Sequence, residues 1–158
     1  RSKDAERRGG DDRDLAALHR AGLASQAHAV DAADGAVKLA PASDPPAAWQ
    51  HEGELEWITS QRECRQLVVW FGRLAMAPGQ RRATVLISRQ NSDAVDSLPF
   101  FSSFVGAPDD HCSPTDEPGR FLFDPDPSII AAHLLGSIAQ HHDLRSLGAG
   151  GAYLTGDS

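Results

Sequence analysis

The sequence predicts an α/β chain, and three observations predict it. Glu54–Thr59 alternates polar and apolar residues with the period of two that a half-buried strand requires. Cys64–Phe71 and Arg81–Ile87 read as two further strands, the second set off by the turn signal Pro78-Gly79. Downstream, Ile130, Leu134 and Ile138 recur at i, i+4 and i+8, which puts them on one face of a helix.

The remaining elements follow in order. Residues 1–14 are charged and polar, with Arg7-Arg8-Gly9-Gly10 reading as a loop. An Ala- and Leu-rich stretch from Asp14 to Ala29 predicts a short helix, with an aspartate available as N-cap and Gly22 as a possible stop. Ala36–Ala40 predicts a brief strand ended by Pro41. The three prolines between Pro41 and Gly53 predict a loop, because proline supports neither a ladder nor a helix interior. Ser88–Gly119 carries four prolines and many small polar residues and predicts a poorly structured linker with room for one strand. Arg120–Phe123 predicts a strand. Asp126, with Pro127 behind it, predicts the N-terminus of a helix running to about His142. Leu144–Leu147 and Ala152–Thr155 predict short extended pieces.

Composition excludes several classes. No apolar run approaches the ~20 residues that cross a bilayer, and no secretory signal pattern occurs in the first residues. Cys64 and Cys112 stand far apart in unlike settings, which suits a reducing, cytoplasmic compartment better than a disulfide framework. The formal charge of −7 argues against indiscriminate binding to polyanions. That charge is unevenly spread, however. Residues 61–90 hold six arginines (62, 65, 73, 81, 82, 89) against Glu63, a net of +5, whereas residues 109–126 hold six acids against Arg120, a net of −5. The basic stretch is a local hint of a polyanionic partner.

The arginine group offers either phosphate contacts to RNA or an ordinary solvated strand face. Trp57 and Trp70 could stack bases, but both stand in apolar strand patterns, which points to core packing. Asp109-Asp110-His111-Cys112 gathers metal-ligand residue types. They are consecutive and no second cluster partners them, so no metal site is expected. His141 and His142 suit the negative end of a helix. No nucleophile elbow, zinc-protease motif or phosphate loop occurs, so hydrolase and kinase readings lack support.

Several blocks, in this order, resemble one family of bacterial methyltransferases. They are Asp4-Ala-Glu-Arg-Arg8-Gly-Gly, Ala36-Val-Lys-Leu-Ala-Pro41, Glu54-Leu-Glu-Trp-Ile58, Glu63–Ala75 and Arg81–Leu86, then Phe121–Ala132 and Ala152-Tyr-Leu-Thr-Gly-Asp157. The family joins a class I, Rossmann-like S-adenosylmethionine-dependent methyltransferase core to a C-terminal THUMP-like domain.

The resemblance implies the C-terminal half of the core over residues 1–90, a linker over 91–118, and a small α+β THUMP-like domain over 119–158. It implies methyl transfer by the parent enzyme, with RNA as the acceptor, Asp4 in the catalytic loop, and Arg7, Arg8, Arg81 and Arg82 on the substrate. The Gly-rich loop and acidic residue that hold S-adenosylmethionine in such a core would precede Arg1. The chain alone is therefore expected to bind no cofactor and to be inactive. The competing expectation is a non-catalytic RNA- or protein-binding module derived from such an enzyme.

Overall fold

The computed structural model describes residues 33–87, 100–108 and 110–157. The helix expected over Asp14–Ala29 lies outside the described residues. Gly35–Ser158 forms one compact unit of mixed α/β architecture, built on two mixed sheets with few helices.

The larger sheet contains β1 (Gly35–Leu39), β2 (Glu54–Ser60), β3 (Glu63–Phe71), β4 (Arg81–Ile87) and β5 (Phe100–Gly106), in the order β1-β3-β2-β4-β5. β3 is antiparallel to both β1 and β2, so those two run parallel to each other with β3 between them. β4 adds parallel to β2, and β5 closes the far side antiparallel to β4. A tight turn at Gln61-Arg62 joins β2 to β3, with both residues at positive φ (54° and 64°). Two positive-φ residues give a hairpin turn the twist its strands need. The register shifts between Ile58 and Thr59, a bulge that leaves Arg65 without a ladder partner.

Strand alternation gives this sheet two unlike faces. Leu55, Trp57, Leu67, Val69 and Ala83 are buried on one and form the core. The other carries Glu54, Glu56, Trp70, Arg82 and Thr84. Trp57 thus packs in the core as expected, while Trp70 is half-buried and donates its indole N–H to Glu56 Oε2 at 2.8 Å.

Helix α1 (Ala47–Glu52) corrects the reading of Pro41–Gly53 as loop throughout. The prolines all precede it, and Pro46 sits at the N-cap, where a missing N–H costs nothing. Its Trp49 is buried edge-on to Phe71 at 5.4 Å. Gly53 ends it where there is no room for a Cβ, which would stand 2.9 Å from the carbonyl oxygens of Trp49 and Trp70.

The single helix expected from Asp126 to His142 is two short ones, α2 (Pro127–Ala131) and α3 (Leu135–His141). The chain breaks at His133, which adopts φ 56°, and Leu134 N–H reaches back to the Ile129 carbonyl at 2.9 Å. The break lets α2 cover β2, β3 and β4 while α3 covers β5. One straight helix could not follow the twisted sheet that far. The break also corrects the expected apolar face: of Ile130, Leu134 and Ile138 only Leu134 is fully buried, Ile130 is exposed and Ile138 half-buried, while Ile129, Ala132 and Ala139 are buried instead. N-cap Asp126 is as expected: its Oδ1 accepts from Ser128 N–H at 2.8 Å.

The smaller sheet contains β6 (Pro114–Thr115), β7 (Phe121–Phe123), β8 (Arg145–Leu147) and β9 (Leu154–Gly156), in the order β6-β8-β9-β7. β7 pairs with β9 through Phe121↔Gly156, Leu122↔Thr155 and Phe123↔Leu154. The side chain of Thr155 bridges them, donating to the Phe121 carbonyl and accepting from Gly119 N–H, each at 2.8 Å.

β5 and β6 lie in the stretch expected to be poorly structured. β5 forms because β4 offers a free edge to its whole length, from Arg81↔Gly106 to Ile87↔Phe100. Among the described residues, no helix is long and apolar enough to cross a membrane.

Candidate functional site

A cavity of about 470 Å³ opens at the C-terminal end of β1, bounded by the loop 41–45, α1, β2, β4 and the end of α2. The loop turns tightly, with Ser43 N–H bonded to the Ala40 carbonyl at 3.0 Å. Two side chains then pin it. Trp57 donates its indole N–H to the Pro41 carbonyl at 3.1 Å, and Gln50 Nε2 donates to the Pro45 carbonyl at 2.9 Å. Proline-limited dihedrals and these bonds make the wall preformed rather than assembled on demand.

Arg81, at the start of β4, projects onto the cavity side. Its guanidinium lies 5.4 Å from the centre of the Trp57 ring, within cation–π range. Its Nη1 donates to the Ala132 carbonyl at 3.1 Å and its Nη2 to Gln50 Oε1 at 3.4 Å. The head group is therefore held in one orientation. Asp44 and Ser43 from the loop and His133 from the helix break add polar groups, while Pro41, Pro45, Leu55 and Ala131 supply apolar walls. Asp44 Oδ1 also accepts from Gln50 Nε2 at 3.5 Å.

Arg82 is adjacent in sequence and points to the opposite face. Its Nε and Nη2 meet Glu54 Oε1 at 2.6 and 2.5 Å. Glu54 is buried, and its Oε2 accepts from the N–H groups of Met76 and Ala77 at 2.7 and 2.9 Å. Arg81 and Arg82, grouped by sequence, are thus separated by the sheet.

The other arginines do not converge either. Arg62, in the β2–β3 turn, lies about 20 Å along the strands from Arg81 at ~3.3 Å per residue, and Arg65, at the bulge in β3, about 12 Å. There Arg65 pairs with Glu63 at 2.8 Å, both exposed. Arg73 lies in the short helical turn Gly72–Leu74 after β3. Asp4, Arg7, Arg8 and Arg89 lie outside the described residues.

Among the described residues no group of three or more His, Cys, Asp or Glu side chains could hold a metal. Ser137 Oγ stands within hydrogen-bonding distance of both Asp110 Oδ2 and the Ala107 carbonyl, 2.8 Å from the latter, and its single hydroxyl proton is shared between the two acceptors. His141 and His142 end α3 and stack edge-on at 4.8 Å. Cys64 and Cys112 are both free thiols. Burial pushes the Cys64 thiol above its ordinary range; Asp126 adds to the rise, and the Gln66 backbone offsets part of it.

Asp44, Gln50 and His133 carry no motif and went unread as site residues. The one available signal was the turn-rich loop following a strand, a frequent setting for a site in an α/β fold. Comparison of the chain with protein-family models, curated proteins and solved structures finds no match.

Proposed function

We propose that this chain is the C-terminal portion of an S-adenosylmethionine-dependent methyltransferase acting on RNA, and that it holds the RNA rather than the methyl donor. One observation carries the reading. β1 and β2 run parallel with antiparallel β3 inserted between them. A class I methyltransferase sheet has that order at one end, which β4 and β5 extend past β2 here, and these strands are the blocks whose sequence resembles the family. Pairing of β7 with β9 adds support, since it joins the two tail blocks that resemble the THUMP-like domain.

The donor is already activated as a sulfonium, so catalysis in the parent rests on proximity and orientation of the acceptor. Asp4 is the proposed catalytic residue, with Arg7 and Arg8 on substrate phosphate. Arg81 is the proposed RNA contact among the described residues. Arg82, engaged by Glu54, acts by holding the strand that carries Arg81.

The test is titration of the chain with a fluorescently labelled structured RNA at several salt concentrations, together with calorimetry against S-adenosylmethionine. Expected are RNA binding that weakens with salt and no heat from the cofactor. Tight cofactor binding by this chain would overturn the division of labour. Absence of RNA binding at low salt would overturn the choice of acceptor.

A further inference from the structure

We infer that the cavity beside Arg81 is a receptor for a single unstacked nucleotide, taking its base. The inference rests on the RNA reading above and names the part of the RNA this site takes.

Single-stranded RNA is recognised by splaying a base out, stacking it on an aromatic or guanidinium plane and bonding its edge. Each requirement has a counterpart here. The volume of about 470 Å³ admits a nucleotide and falls in the range of small-molecule sites. Arg81 presents a guanidinium already oriented by Trp57, the Ala132 carbonyl and Gln50. Because the group is pre-positioned, little side-chain entropy is lost when a base stacks on it. Pro41, Ala42 and Ala131, which line the cavity and keep accessible surface, provide an apolar surface for the rest of the ring.

The polar groups select among ligands. A site for a bare phosphate would converge donors and exclude carboxylates. Here the Asp44 carboxylate shares the cavity with the Arg81 guanidinium, and Gln50, itself bonded to Arg81, Pro45 and Asp44, stands between them, so acceptor and donor alternate across it. A nucleobase edge, which itself carries both, is complementary to that alternation. An anion alone is not. The rigid loop also suits a base, since binding requires no rearrangement of its backbone.

Nuclear magnetic resonance on the full chain tests this through the Trp57 indole N–H, which bonds to Pro41 at the cavity wall. Guanosine, adenosine, cytidine and uridine monophosphates are titrated, with inorganic phosphate as control. The expected result is a saturable shift of the indole signal by at least one nucleotide and none by phosphate. Ala42→Phe, at an exposed turn position lining the mouth, should weaken the nucleotide about tenfold without unfolding the chain. Asp44→Asn should weaken it and change the order of preference among bases.

An unmoved indole signal with all four nucleotides, while labelled RNA still binds, overturns the receptor and leaves the RNA reading intact. A nucleotide shift without RNA binding supports the receptor and removes the RNA reading. Equal shifts by phosphate and nucleotide overturn the base assignment.

Discussion

The guanidinium of Arg82 meets the carboxylate of Glu54 at 2.5–2.6 Å, inside a site where Glu54 is 1 % exposed. The same carboxylate accepts two backbone N–H groups from Met76 and Ala77. It therefore ties β2, the turn after β3, and β4 at one point. A carboxylate so far out of water is tolerated because four donor contacts replace its hydration.

Arg82→Ala should therefore destabilise the chain by about 3 kcal/mol, because it leaves a buried carboxylate with backbone partners alone. Urea unfolding measures it. A change within a few tenths of a kcal/mol would show that water replaces the guanidinium at no cost.

Thr155→Val keeps shape but removes the hydroxyl that bridges Gly119 and Phe121. The Gly119 N–H and the Phe121 carbonyl, both in partly exposed residues, then lose this partner, at a cost of about 1 kcal/mol. The loss should appear as a lowered melting temperature, and Thr155→Ser should recover most of it.

Asp126 caps α2 and also accepts from the Thr59 hydroxyl at 2.5 Å, fastening the helix to the sheet. Asp126→Ala should cost about 1–2 kcal/mol. It should also alter Cys64. The thiol is raised first by burial and then by the Asp126 charge, so removing that charge lowers its pKa without restoring the ordinary value. In a Cys112→Ser background, the pH profile of alkylation should shift to lower pH in Asp126→Asn and still lie above that of a free thiol. For stability the sign follows from proton binding. The folded chain holds a proton on Cys64 that the unfolded chain releases, so stability falls as pH rises through and above the ordinary thiol range. An unchanged alkylation profile would disprove the coupling.

Arg81→Lys distinguishes a stacking plane from a mere charge. Lysine preserves the charge but has no planar fork to lie over Trp57. RNA affinity in Arg81→Lys should fall about tenfold, close to that of Arg81→Ala, while the dependence on salt stays the same. Recovery of full affinity by lysine would assign Arg81 an electrostatic role alone.

Much of the fold was legible because strand signals are local. The alternation in Glu54–Thr59 and the apolar run in Cys64–Phe71 depend on residue order alone, and β2 and β3 occupy those positions within a residue or so. β5 was less legible. Its Phe100-Phe101-Ser102-Ser103-Phe104 run breaks alternation, and it is a strand because the edge of β4 is there to pair with. The break at His133 was invisible for a similar reason: the i, i+4, i+8 spacing of Ile130, Leu134 and Ile138 presumes one straight helix, and the bend buries Ile129 and Leu134 while it leaves Ile130 exposed.

The site was less legible than the fold. Six arginines in thirty residues read as one basic surface, yet neighbouring strand residues face opposite ways. Arg81 and Arg82 consequently have unrelated partners, a tryptophan ring and a buried glutamate. Asp44 and His133 reach one cavity from positions 89 residues apart.

The sequence by itself determined the α/β class, most strand positions and the aspartate cap of α2, because each follows from contacts within a few residues. Only the tertiary structure decided which charges are paired, where the helix bends and which side chains share a cavity. Those outcomes depend on sheet order and register, which bring distant residues within bonding distance and turn adjacent ones apart.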